Sequence, residues 1–148
     1  MSQLLDLYNH VGAEAYGRAI ADIAPYFGTI SPRFIGLRPS YCELVIPHVR
    51  AVENHIGTVH AIALCNGAEL AAGLMTDVSI PESFRWIPIG MSVRYLKKAR
   101  GDLRVVADGA NIDWSRAGET PVTVVIFDKE GSRVFDAEIH MALASESD

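Results

Sequence analysis

A chain of 148 residues, 49 % of them hydrophobic and 21 % charged, can bury about two-thirds of its unfolded surface, which excludes a disordered segment and fits one domain, 1–148. A net charge of −5 excludes the basic face of a nucleic-acid-binding module, and the aromatic and basic residues lack the spacing of a base-stacking platform. Two cysteines, Cys42 and Cys65, lie in apolar runs and form neither a disulfide framework nor a metal-ligand set, so they read as reduced core thiols of a cytoplasmic protein.

Over residues 2–24, Leu4, Tyr8, Val11, Ala15, Ala19 and Ile23 recur at helical steps, and Pro25 marks the end of an N-terminal amphipathic helix. The acidic residues Asp6 and Glu14 in this stretch exclude the pattern of a secretory signal. The core then runs over about 30–144. Residues 33–37 form a short strand between proline-containing breaks, and residues 41–46 a clearer one that Pro47 stops. Residues 54–75 hold a Gly-containing loop and then, over 61–75, a helix-length segment that is apolar on nearly every side. His60, Asn66 and Glu69 interrupt it, which excludes a membrane span. Four strands follow, at 87–96, 102–109 (continued after a kink by 111–114), 121–128 and 133–144, joined by short connections as an antiparallel meander. A helix with no polar face cannot lie outside a sheet. The expectation is an α+β chain with an antiparallel five- to six-stranded sheet wrapped around a long central helix, and a second copy covering what remains open.

Glu69 is the residue that calls for chemistry. It is the one carboxylate in the apolar stretch, and no Lys or Arg lies between Arg50 and Arg85 to neutralise it. A hydrogen bond from Asn66, one turn earlier, is its structural alternative. His60 precedes the helix, where it can serve as a cap or act on a substrate. The backbone N–H groups of Ala61 and Ile62 lack intrahelical partners, and with the helix dipole they can polarise a thioester or ester carbonyl. The Asn54 amide can add a hydrogen bond or position a water. His60 and Glu69 are nine positions apart, roughly 900° of helix and about 13 Å along its axis, so they face opposite ways. If both act in one reaction, the site joins His60 of one subunit to Glu69 of another in a two-fold dimer. A basic run, Arg94, Lys97, Lys98, Arg100 and Arg104, is either a solvated turn or a landing place for the phosphates of a carrier such as coenzyme A. No P-loop, Rossmann fingerprint, G-x-S-x-G elbow or metal-ligand motif is present.

The segment Asn54-His55-Ile56-Gly57-Thr58-Val59-His60-Ala61-Ile62, followed by Glu69, resembles the N/Q-x-x-G-x-x-H-G-G motif and acid of hotdog-fold thioesterases of the phenylacetic-acid-degradation type. Residues 91–103 are similar to that family's "YLRPA…G-L" strand and turn. The resemblance implies hydrolysis of an acyl-CoA or related acyl thioester without a resident cofactor or metal, in a homodimer or dimer of dimers. It implies Glu69 as nucleophile or general base, the Ala61 N–H as oxyanion donor, Asn54 as positioner of water or carbonyl, and His60 as orienter of the thioester. Gly57, Ile62, Asn66 and Gly73, with Lys97, Lys98 and Arg100, would contact substrate. One departure is that Ala61 and Ile62 stand in place of two glycines, which retains the N–H groups but crowds their approach. The alternatives are a non-catalytic acyl-CoA-binding protein and an acyl-thioester hydratase or dehydratase.

Overall fold

The apolar stretch forms helix α3, Ala61–Ser79, the longest helix of the computed structural model, which describes residues 2–147. Six antiparallel strands surround it: β1 (Arg33–Arg38), β2 (Tyr41–Ile46), β3 (Phe84–Tyr95), β4 (Leu103–Asp108), β5 (Gly118–Phe127) and β6 (Arg133–Ser145). Their order in the sheet is β1-β2-β4-β5-β6-β3. Strict alternation sends Leu44, Ile46, Val105, Val124, Ile126 and Ile139 inward onto the helix, all essentially fully buried. Gly67 lets α3 lie this close, because a Cβ there would sit 2.6 Å from the Ile46 Cδ1 atom. A sheet wrapped around one long helix is the hotdog fold.

The N-terminal helix is two helices, α1 (Gln3–Val11) and α2 (Ala13–Ile23). The apolar periodicity runs through the junction, but Gly12 adopts φ +83° and turns the chain. This lets Tyr16 bury completely, donating its hydroxyl to the Leu4 carbonyl and packing edge-on against Phe34. A 3-10 turn, Pro25–Ile30, then leads into β1. The segment 111–114 does not continue β4. It is a turn in which Asp113 accepts from the Ser115 N–H, while the buried Trp114 donates to the Ser40 hydroxyl and closes that end of the core.

The strand order corrects the expected meander. β3 pairs with β6 at the far edge and not with β4, although only residues 96–102 separate β3 from β4. Crossing from β3 to β4 spans three strand spacings, about 14 Å, which a seven-residue connection covers easily. The connection passes across the end of the β5–β6 hairpin, held by the Leu96 N–H on the Val134 carbonyl and by Lys97 on Asp128. It also accepts the Val59 N–H at the Ala99 carbonyl, which brings the basic run beside the start of α3.

Candidate active site

The loop before α3 is built by Asn54. Its Oδ1 accepts the N–H groups of Ile56 and Thr58, each at 3.1 Å, and its Nδ2 donates to the Thr58 hydroxyl at 2.7 Å. Gly57, at φ +79°, supplies the left-handed residue that this tight turn needs. A bridge between Glu53 and Val59 closes the loop. Asn54 is therefore largely occupied in its own loop. His60 follows as the cap of α3: its Nδ1 accepts the Ile62 N–H at 3.0 Å, so a neutral ring carries its proton on Nε2. The imidazole is exposed, and the adjacent Ala61 N–H has no partner among the described residues. One helix-terminal donor is thus spent on the cap and one is free.

Glu69 lies two and a half turns further on, half-buried, with no hydrogen-bond or ion-pair partner among the described residues. The alternative of a structural hydrogen bond from Asn66 is not realised. Asn66 Nδ2 donates instead to the Tyr26 carbonyl and the Thr29 hydroxyl, because the turn after α2 covers that side of the helix. Its Oδ1 is buried without a partner among the described residues. The helix is also not enclosed on every side. Ile62, Cys65 and Glu69, at three- and four-residue steps, form one open stripe along the free edge of the sheet.

That edge is β3, which bulges between Pro88 and Gly90. The bulge changes which alternate residues face the helix. Trp86 and Pro88 lie opposite the buried Leu143 and Met141, whereas Met91, Val93 and Tyr95 lie opposite the buried Ile139, Ala137 and Phe135. Tyr95 reaches Cys65, hydroxyl to thiol at 3.6 Å, and Trp86 and Pro88 border an apolar cavity of about 260 Å³ that Glu69 also lines. Within one chain, His60 and Glu69 are not brought together.

The basic run divides. Arg94 binds Asp136 bidentately, Arg104 pairs with Glu43, and Lys97 with Asp128 at 3.5 Å. The Ser132 N–H foremost, then desolvation opposing it, with lesser help from the Glu130 N–H and Lys97, leaves the Asp128 carboxyl below the usual carboxylate range. Lys98 and Arg100 join Lys129 of the β5–β6 hairpin around a cleft of about 500 Å³. Lys129 lies outside the basic run in sequence, in the connection between β5 and β6, and the strand order places it here. His48, also not anticipated, accepts the Gly101 N–H at Nδ1 (2.8 Å) and contacts Glu53 through Nε2 (3.3 Å), tying the basic turn to the Asn54 loop. No group of histidine, cysteine and carboxylate side chains fit to hold a metal ion occurs among the described residues. None of the helices described is long and apolar enough to cross a membrane.

A family model described as a domain of unknown function, DUF4442, matches residues 12–143. A crystal structure described as that of a genomics target is 53 % identical, with 97 % of each chain covered and a TM-score of 0.90. A Pseudomonas aeruginosa protein of unknown function, described as a probable thioesterase, is 26 % identical over 90 % of this chain and 93 % of its own, with a TM-score of 0.77. A Streptococcus mutans protein crystallised with acetyl CoA shares the fold at 16 % identity, covering 77 % of this chain and 89 % of its own, with a TM-score of 0.67. No curated protein matches the chain.

Proposed function

The chain belongs to the DUF4442 domain family, and from its hotdog architecture we propose that it hydrolyses an acyl thioester, with coenzyme A as the carrier. The observation that carries this reading is Glu69, a half-buried carboxylate without a partner among the described residues, set at the border of an apolar cavity on a largely buried helix. Such a group is costly as structure and useful as a base or nucleophile. The likeness to the Pseudomonas aeruginosa probable thioesterase supports the same reaction class. The finer likeness to phenylacetic-acid-degradation thioesterases rests on Asn54, Gly57, His60 and Glu69.

The working unit in this proposal is a two-fold dimer. β3 is an unpaired edge strand that exposes Ile87 (61 %), Ile89 (56 %) and Met91 (40 %) beside the open stripe of α3. Edges of this length and apolarity are normally covered, and an antiparallel pairing of two β3 strands covers both at once. The substrate carbonyl then sits between Glu69 of one protomer and the Ala61 N–H of its partner. Glu69 takes a proton from water as the water oxygen attacks the carbonyl carbon. The Ala61 N–H and the helix dipole hold the charge that develops on the carbonyl oxygen. The C–S bond breaks, and the departing thiolate takes the proton that Glu69 received from water, which returns Glu69 to its carboxylate form. In the covalent variant Glu69 attacks the carbonyl itself, and water then opens the mixed anhydride. The His60 Nε2–H orients the thioester, while Lys98, Arg100 and Lys129 receive the phosphates of the carrier.

The test is thiol release from a panel of acyl-CoAs. Turnover of at least one substrate is expected, with Glu69→Gln slower by about 10²-fold or more, as loss of a catalytic base costs. Binding across the panel without turnover would make this an acyl-CoA-binding protein instead.

A further inference from the structure

We propose that the cavity beside Glu69 receives a medium-chain acyl group, and that the N-terminal helix pair sets the upper limit on its length; this rests on the thioester reading above. The cavity lies between α3 and β3 and is roofed by Leu4 of α1, Ile23 of α2 and Phe27 of the following turn. Glu69 is the one ionisable residue that lines it among the described residues, so a reacting carbonyl belongs at that end and an apolar tail at the other. An apolar cavity of about 150 Å³ accommodates the six carbons of benzene, so about 260 Å³ takes roughly ten. An acetyl group would leave most of this space unfilled.

The far end is fixed in place. The Trp86 Nε1–H donates to Asp77 Oδ1 at 3.0 Å, and the other Asp77 oxygen accepts the Ser2 hydroxyl, whose oxygen caps α1. One carboxylate on α3 therefore holds both the indole that floors the cavity and the helix that roofs it. Gly73 keeps the passage open between them: a Cβ there would lie 3.0 Å from the Trp86 ring. The helix pair lies outside the six strands and α3, so the length limit is set by elements that precede the sheet.

The proposal predicts that kcat/KM rises about fourfold per methylene, the equivalent of about 0.8 kcal/mol, up to octanoyl- or decanoyl-CoA and then falls. Gly73→Ala, which adds a methyl group against the Trp86 ring, should move the optimum to shorter chains by two or more carbons. Leu4→Ala should move it the other way. Calorimetric titration of Glu69→Gln with acetyl- to palmitoyl-CoA gives a second readout, in which affinity should climb to the same limit. Glu69-dependent turnover that is best with acetyl-CoA, indifferent to chain length or unmoved by both variants would overturn the cavity assignment and leave hydrolysis standing. Length-dependent binding without turnover would do the reverse. Neither binding nor turnover would overturn both.

Discussion

Asn54, His60 and Glu69 sit in one short stretch but have separable physical roles. Glu69 was legible from the amino-acid sequence because its isolation is local: no Lys or Arg occurs near it along the chain, and no cation pairs with it among the described residues. Asn54 was legible as important, but its engagement with the Thr58 hydroxyl was not, since it depends on how the loop closes. The difference is measurable. Glu69→Gln should leave thermal stability nearly unchanged, within about 0.5 kcal/mol, because no hydrogen bond or ion pair is lost. Asn54→Ala removes three side-chain bonds and should cost about 1–3 kcal/mol, read as a lowered urea midpoint. Asn54→Asp keeps the oxygen that accepts both N–H groups and should recover most of that loss. An Asn54→Ala protein that loses activity with no loss of stability would instead place the amide on the substrate. His60 is intermediate, because its ring both caps α3 and presents an exposed Nε2.

Local patterns identified most elements, and the misreadings have physical causes. Helical periodicity is continuous from α1 to α2, so only the backbone freedom of Gly12 reveals the break. The weak alternation at the start of β3 reflects the bulge at Pro88 and Gly90, where the inward-facing set changes parity. Placement of β3 at the far edge of the sheet was not legible, since sequential strands joined by a short connection usually pair. The buried apolar partners on β6, Phe135 to Leu143, favour it over β4 as the neighbour of a strand this long. This same placement delivers the basic connection to the start of α3 and leaves an apolar edge open. The edge carries its own prediction. Ile87→Lys with Ile89→Lys puts two charges where the proposed partner strand docks, and should shift the protein to monomer by analytical ultracentrifugation. Activity should fall with it, while the circular dichroism of the folded chain is kept. A variant that stayed dimeric would move the interface elsewhere.

For the molecule as a whole, the decisive quantity is the half-turn between His60 and Glu69. Helix geometry sets them on opposite sides of α3, about 13 Å apart along its axis, so in the proposed reaction one chain supplies only half of each reacting constellation. The open stripe of Ile62, Cys65 and Glu69 and the unpaired β3 edge lie together, as an interface built around a shared site requires. This arrangement has a consequence that single variants cannot mimic. Suppose that Glu69→Gln and His60→Ala are each severely impaired, and the two proteins are mixed, unfolded and refolded together. Half of the dimers are then mixed ones. In a mixed dimer one site receives both lesions, and the other receives His60 from one chain and Glu69 from the other, both intact. Activity should return to about a quarter of the wild-type value, because half of the dimers carry one good site of two. Sites contained within single chains would give no recovery at any ratio, since every site would then hold a lesion. Refolding the same mixture with excess Ile87→Lys, Ile89→Lys protein should not raise the yield, because chains that do not dimerise cannot complete a site.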